Sequence, residues 1–161
     1  MPTTGSLSIS DLLSPETVRV GMPGTEKDEV INAVVDLLDG HPAVEDLEAV
    51  RHDVFEREAQ MSTGVGLGLA LPHARTTAVT ETVAALAITK EPVPFEAHDG
   101  EPVRLLFLLV GPEQARGRHI RLLGRVSRLM NHDPFRRQLL AATTTDEALA
   151  LFRDADAELA A

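Results

Sequence analysis

Two long apolar runs constrain the fold of this chain more than any other feature of the sequence. They cover residues 83–88 and 103–110, and neither alternates with polar positions. A strand without alternation is typical of a sheet that is covered on both faces. Helical patterns precede and follow these runs, and some connections are too short for a helical crossover. The sequence therefore predicts an α/β fold in which a mixed central β-sheet is flanked by helices on both faces.

The remaining elements follow from hydrophobic periodicity and from turn residues. Two further strands are predicted at 17–20 and 67–71. A turn of helix is expected at 8–13, and full helices at 25–39, 44–59, within 113–130, at 133–142 and at 144–154. Thr25 with Asp28, and Thr144 with Glu147, have the spacing of helix-capping pairs. We expect residues 1–6 to be disordered, residues 7–154 to form a single domain, and residues 155–161 to be a C-terminal tail.

A glycine-rich stretch, residues 62–75, leads into a Pro-His pair. Glycine stands at 64, 66 and 68, which matches neither a dinucleotide-binding fingerprint nor a P-loop. The glycines indicate either a flexible entry to a strand or a close approach of the backbone to a ligand or partner. Because proline ends a buried strand, we expect His73 at the mouth of the strand, with its ring accessible.

Two histidines are candidates for chemistry, although a single histidine is more often structural. The neutral imidazole of His73 could attack phosphorus or bind a metal. Arg57 and Arg75 could offset phosphate charge there, or they could be ordinary surface arginines. His119 falls on the buried stripe of its helix, which favours a hydrogen-bonded histidine at the edge of the core. The alternative is that it points towards His73.

Composition excludes several other classes of function. The chain has 161 residues, no cysteine and a formal net charge of −10, which argues against disulfides, thiolate catalysis and a general nucleic-acid surface. Its remaining histidines have no partner at a metal-ligand spacing, so we expect no metal site. No apolar run is long enough to span a membrane, and the first residues lack a signal-peptide pattern. We therefore predict a cytoplasmic protein.

The stretch 62–75, preceded by Arg57-Glu58, resembles the signature of the fructose/mannitol-type IIA domains of the bacterial phosphoenolpyruvate-dependent sugar phosphotransferase system. The segment 118–123 resembles the helix that contains the second active-site histidine of that family. The segments 95–103 and 144–148 also resemble sequences of that family. The resemblance covers roughly residues 7–152. It implies a mixed sheet between two helical layers, in agreement with the pattern above.

The resemblance also implies a phosphoryl relay without metal or organic cofactor. His73 would accept the group from the phosphorylated carrier protein HPr, as a tele-phosphohistidine, and a IIB component would take it for sugar uptake. His119 and Arg57 would stabilise the phosphoryl oxygens, and Thr63, Gly64 and Arg75 would contribute to binding. HPr and IIB are the expected partners, with no nucleic acid and no membrane insertion.

Two branches of the family remain open on the sequence alone. Many nitrogen-type regulatory members have Gly-Lys after the histidine, whereas this chain has Ala74-Arg75, which is more similar to the fructose type. The alternative to sugar transport is a phosphorylation-dependent signalling module.

Because a protein partner must reach His73, we also expect a shallow site with an exposed apolar rim formed by Val65, Leu67 and Leu69.

Overall fold

Six strands form one mixed sheet in the computed structural model, which describes residues 8–160 without the side chains of the last two. The expected disordered segment 1–6 lies outside the described residues. The strands are β1 (Val18–Met22), β2 (Gly64–Gly66), β3 (Leu69–Ala70), β4 (His73–Thr76), β5 (Val83–Val93) and β6 (Val103–Pro112). The helices are α1 (Lys27–Asp36), α2 (Leu47–Gln60), α3 (Arg116–Asn131), α4 (Asp133–Ala141) and α5 (Thr145–Ala160). Two 3-10 turns precede β1, at Ser10–Leu12 and Pro15–Thr17.

The two apolar runs are the centre of this sheet. β5 and β6 pair antiparallel, and β1 lies parallel to β5 on the outer side. On its other side β6 pairs parallel with β3 and, further along, with β4, and β2 then pairs antiparallel with β3. The predicted mixed sheet is confirmed.

Side chains of the central strands alternate between two apolar layers. Leu86 and Phe107 belong to the layer that packs against α3, α4 and α5, where Phe107 lies 5.9 Å from Phe152 between ring centroids. Ala85 and Leu108 belong to the layer that packs against α1 and α2. Because successive strand residues point to opposite faces, an uninterrupted apolar strand needs a helical cover on each side. The predicted helices on both faces are therefore confirmed.

The helix ends differ from the predictions in two places. α1 begins at Lys27, with Glu26 as N-cap residue and no capping side chain, so Thr25 does not cap it. The final helix does not end near Asp154, because it continues to Ala160 and carries Asp156 into a buried contact with the chain start. The Thr144 cap is present, since the Glu147 N–H donates to Thr144 Oγ1 over 3.1 Å.

The predicted strand at 67–71 is only partly confirmed, because residues 69–70 form β3 but residue 67 lies in a turn and residue 71 lies outside the strand. This region is a hairpin of β2 and β3, and the backbone turns through Gly66, Leu67 and Gly68, all with positive φ. Positive φ is incompatible with an extended strand, and two of the three positions are glycine, which adopts it without strain. Asp99 supports the turn by accepting the Leu67 N–H over 3.1 Å. The turn is the reason that β3 is only two residues long.

The structure has no helix that meets the length and apolarity needed to cross a bilayer, within residues 8–160.

Candidate functional site

An open cleft of about 570 Å³ lies beside β4, between α2 and the first turns of α3. β4 supplies one wall because its residues alternate in direction: Ala74 is buried in the α1–α2 layer, while the neighbouring side chains turn the other way. His73, Arg75, Arg57 and His119 all line this cleft. The structure thus brings together four of the six residues singled out in the sequence.

His73 begins β4, opposite Leu109 of β6, and does not end the preceding strand as predicted. Leu71 and Pro72 separate it from β3, because proline interrupts the ladder. The half-buried ring places Nδ1 2.8 Å from the carbonyl oxygen of Leu71. Since a carbonyl only accepts, Nδ1 carries the proton and Nε2 keeps its lone pair. The backbone therefore selects Nε2 as the nucleophilic atom.

The pKa of His73 is lowered from its ordinary value. Burial is the main cause, because it disfavours the charged ring. The bond to Leu71 opposes this effect, and the nearby Arg57 cation adds to the lowering. A lowered pKa keeps the imidazole neutral, and therefore nucleophilic, at neutral pH.

His119 is buried beside His73, with 4% of its surface exposed and the two ring centroids 5.6 Å apart. Both of its ring nitrogens lack a hydrogen-bond partner among the described residues. The helical pattern favours a satisfied histidine at the edge of the core, and the structure corrects this. An unpartnered buried imidazole is costly, so the geometry suits a group that receives its partner from a ligand.

The environment of His119 keeps it uncharged. Burial, followed by the proximity of His73 and Arg75, lowers its pKa to about 4. The neutral ring can donate one hydrogen bond into the cleft. Gly111 on β6 leaves room for this ring, since a Cβ at that position would stand 3.1 Å from Nδ1 of His119.

Two guanidinium groups complete the cationic side of the cleft. Arg57 donates from Nη1 to the carbonyl of Met61 over 2.9 Å, which ties it to the end of α2. Arg75 donates from Nη1 to the carbonyl of Glu113 over 2.7 Å. Neither arginine has a carboxylate partner within the described part of the chain, so both retain donors for an anion.

Thr63 and Gly64 do not line the cleft. Thr63 is buried and donates its N–H to Glu58 Oε2 over 2.8 Å and its hydroxyl to the other carboxylate oxygen. Glu58 is also paired with Lys27 at 2.9 Å. A Cβ at Gly64 would lie 2.9 Å from Cα of Ala97. Both residues thus serve the packing of the hairpin, and the close approach that glycine allows is to the chain itself.

The expected apolar rim is also corrected. Leu69 is buried, and Val65 and Leu67 are exposed on the hairpin but do not line the cleft. The exposed apolar residue of the cleft is Ile120, 56% accessible, on the first turns of α3.

Sequence reasoning missed the wall that α2 contributes. Asp53, Glu56 and Gln60 line the cleft together with Arg57. Their spacing of three and four residues places them on one helix face, which was the available signal. No group of three or more His, Asp or Glu residues in the described chain is arranged to hold a metal ion.

Comparison with known proteins places this geometry in a family. The model of the phosphoenolpyruvate-dependent sugar phosphotransferase system EIIA 2 matches residues 11–155. A fructose-specific EIIA component of Haloferax volcanii is 34% identical over 134 residues, which are 83% of this chain and 87% of that protein. A fructose-specific EIIABC component of Bacillus subtilis is 33% identical over 150 residues, or 93% of this chain. The chain spans only 24% of that longer relative.

Solved structures agree with the fold. The nitrogen regulatory protein IIA-Ntr of Neisseria meningitidis superposes with a TM-score of 0.84 at 30% identity, over 89% of this chain and 98% of that one. The mannitol enzyme IIA of Escherichia coli, solved in complex with phosphorylated mannitol enzyme IIB, has a TM-score of 0.75 at 22% identity, over 88% and 97%. On these matches, the chain belongs to the EIIA type 2 family of the phosphoenolpyruvate-dependent sugar phosphotransferase system.

Proposed function

We propose that this protein is a phosphocarrier that accepts a phosphoryl group on Nε2 of His73 from phosphorylated HPr and passes it to a IIB component in sugar uptake, most specifically of the fructose type. The observation that carries the proposal is the Nδ1 bond of His73 to the Leu71 carbonyl, which leaves Nε2 as the open nucleophile in the cleft. Membership of the family and the fructose-specific relatives support it.

The transfer is an in-line exchange between two nitrogens. Nε2 of His73 attacks phosphorus, the bond from phosphorus to the donor imidazole breaks, and its electron pair returns to the donor nitrogen. The Nδ1 proton of His73 stays on the ring, where the Leu71 carbonyl stabilises the positive charge that develops. The reverse movement, with the IIB nucleophile as attacker, restores the neutral ring.

The other cleft residues stabilise the three equatorial oxygens of the phosphoryl group during its transfer. His119 donates from its neutral ring, and Arg57 and Arg75 supply positive charge, so the negative charge of the transferring group is met by preorganised donors. Because these groups already stand around an open cleft, the work of the protein is positioning and electrostatic stabilisation. No cofactor enters this scheme.

The structural similarity to a nitrogen regulatory protein supports a second candidate function, in regulation. In that case the same phosphorylation of His73 would control binding to a target, and no sugar would receive the group. The two functions share the acceptor and differ in the fate of the phosphoryl group after it has reached His73.

The test is phosphorylation in a reconstituted system of phosphoenolpyruvate, enzyme I and HPr. Intact mass should show one acid-labile phosphoryl group on the wild type and on His119→Gln, and none on His73→Gln. Absence of label on the wild type, with HPr itself phosphorylated, would contradict the proposal. Subsequent chase with IIB proteins encoded by the same genome separates the branches, because transport requires transfer to one of them.

A further inference from the structure

The last turn of α2 contains two adjacent charged residues that face different sides of the helix. Arg57 lines the cleft, whereas Glu58 is 7% exposed and lines a separate hollow beside Lys27 and Met61. Neighbouring residues of a helix are about 100° apart around its axis, so one turn can serve both sides. A carboxylate with so little exposure is rare unless it is paired and hydrogen-bonded. The proposed phosphoryl transfer does not use Glu58, so its partners need a separate explanation.

The Glu58 carboxylate binds groups from two other parts of the fold. Oε2 accepts the N–H of Thr63 over 2.8 Å and pairs with Nζ of Lys27 at 2.9 Å, and Oε1 accepts the Thr63 hydroxyl. Nζ of Lys27 also lies 4.9 Å from the ring centroid of Phe95 and pairs with Glu96 at 3.3 Å. One carboxylate therefore joins the start of α1, the end of α2 and the residue before β2. Because it is shielded from water, its charge-assisted bonds hold these parts firmly.

The end of α2 depends on these bonds. The helix ends at Gln60, and Met61 leaves it with an extended backbone. Many helices end on a glycine in the left-handed conformation, but no glycine follows α2 before residue 64. Instead, Thr63 donates both its N–H and its hydroxyl back to Glu58. These two bonds stabilise the point at which the chain leaves the helix.

The same connection between α2 and β2 holds Arg57. Nη1 of Arg57 donates to the carbonyl of Met61 over 2.9 Å. The connection is thus bound by Arg57 on the cleft side and by Glu58 on the other side. An arginine side chain has many rotamers in solvent, so its position depends on the acceptor that holds it. The position of the Met61 carbonyl, and with it that of the guanidinium, therefore follows from the bonds between Glu58 and Thr63.

We propose that Glu58 is a positioning residue for Arg57. Through its bonds to Thr63 it fixes the connection between α2 and β2, and the carbonyl of Met61 then holds the guanidinium at the cleft. The inference rests on the proposed function, in which Arg57 stabilises the oxygens of the phosphoryl group. Glu58 itself touches no reacting atom, and Thr63 acts from behind the cleft without lining it.

The charges near His73 report where the Arg57 guanidinium lies. Burial is the main cause of the lowered pKa of His73. Of the two charges, Arg57 lowers this pKa further and Glu58 opposes it. Replacing the Thr63 hydroxyl by a methyl group changes no charge. In such a variant, withdrawal of Arg57 from the cleft would raise the pKa of His73.

The test compares Thr63→Val, which removes the hydroxyl at nearly constant size, with Thr63→Ser, which keeps it. Glu58→Gln also removes the charge that pairs with Lys27 and is the stronger variant. Each substitution is made in the wild type and in Arg57→Gln. The rate at which phosphorylated HPr labels His73 is measured at a temperature where circular dichroism shows every variant to be folded. NMR titration gives the pKa of His73.

We expect Thr63→Val to slow labelling by about threefold and Glu58→Gln by about tenfold, because a displaced guanidinium loses alignment with the phosphoryl oxygens. Thr63→Ser should stay within about twofold of the wild type. In the Arg57→Gln background each substitution should change the rate by less than about twofold, since the group that Glu58 positions is absent. The pKa of His73 should rise in Thr63→Val and not in Thr63→Ser.

Equal slowing with and without Arg57 would assign Glu58 to the stability of the fold alone and would overturn the inference. Unchanged rates, or an unchanged pKa of His73 in Thr63→Val, would overturn it as well. If Glu58→Gln does not fold, the pair Thr63→Val and Thr63→Ser gives the same test. Absence of label on the wild type would instead contradict the proposed function, and the pKa comparison would still test the position of Arg57.

Discussion

One hydrogen bond decides which atom of the reactive ring faces the cleft. Leu71 lies two residues before His73, and its carbonyl oxygen is 2.8 Å from Nδ1 of that ring. The neighbouring His119 has no comparable partner among the described residues and is held by packing alone. A side chain that is fixed only by packing is sensitive to small changes in the space around it.

Gly111→Ala is expected to disturb that packing. The new Cβ would stand 3.1 Å from Nδ1 of His119, and β6 cannot move because it is the centre of the sheet. We expect phosphorylation of His73 to slow by about tenfold, as a shifted donor loses alignment with the phosphoryl oxygens. The control is Gly124→Ala, where the nearest atom to the new Cβ is Nη1 of Arg128 at 3.9 Å. Equal rates in both variants would contradict a positioning role for Gly111.

Arg57→Gln should raise the pKa of His73. Burial is the larger cause of the lowered pKa and is unchanged by the substitution, but the Arg57 cation contributes and would be lost. The neutral ring, which is the nucleophile, predominates above the pKa. Phosphoramidate, a small phosphoryl donor, should label His73 more slowly as the pH falls, and in the variant this decrease in rate should begin at a higher pH. NMR titration of the His73 ring measures the shift directly, with Arg19→Gln as control. An unchanged or lower pKa would exclude the electrostatic contribution of Arg57.

The helices and strands that the sequence predicts reliably are those with a long hydrophobic pattern. The two central strands and most helices follow from the sequence, because burial on one or two faces leaves a periodic trace over many residues. The hairpin around Leu67 does not, since its fold depends on turn conformation and on Asp99, 32 residues away. The pairing of β4 with β6 is equally non-local. The sequence therefore predicts that His73 lies at the end of a strand, but it does not predict that His73 begins β4.

The C-terminal helix extends beyond its local sequence pattern. The pattern places Asp156 in a tail, yet this residue is 8% exposed and accepts the N–H groups of Ile9 and Ser10 over 3.2 and 2.7 Å. Burial is the largest single effect on the pKa of Asp156 and would raise it, but the hydrogen bonds from the chain start together outweigh burial, so the pKa is lowered. Ile9 is 147 residues away in sequence and Ser10 is 146, so the hydrophobic periodicity of the last helix cannot predict these hydrogen bonds.

Asp156→Ala should therefore destabilise the protein, and Asp154→Ala, an exposed position on the same helix, should not. We expect a loss of about 1.5 to 3 kcal/mol in the free energy of unfolding for the first, because a charged acceptor of buried N–H groups disappears. Urea unfolding followed by circular dichroism measures it. A loss below about 0.5 kcal/mol, or the same loss in both variants, would contradict the anchor between α5 and the chain start.

For the molecule as a whole, the site exists only where layers meet. α2 comes from one helical layer, α3 from the other, and β4 is the edge strand between them. The sequence shows each contributor separately. The resemblance to a family brings His73 and His119 together. The wall that α2 contributes, and the position of Thr63 and Gly64 outside the cleft, follow only from the assembled layers.

The buried His119 should also make stability pH-dependent. Its pKa is about 4 in the folded protein, because of burial and of nearby His73 and Arg75, and near 6.5 in the unfolded chain. As pH falls from about 6.5 to 4, the unfolded state binds a proton that the folded state refuses, so stability decreases. We expect His119→Gln to retain about 1 to 3 kcal/mol more of its neutral-pH stability at pH 4.5 than the wild type. Parallel stability curves for the two proteins would contradict the inference.

The most direct measurement is the identity of the phosphorylated nitrogen. The protein is labelled with ¹⁵N-histidine, phosphorylated through HPr, and analysed by ³¹P–¹⁵N correlation at alkaline pH, where the phosphorus–nitrogen bond survives. We predict phosphorus on Nε2 of His73, the ring nitrogen that does not contact the Leu71 carbonyl. Phosphorus on Nδ1 of His73, or on either nitrogen of His119, would contradict the mechanism.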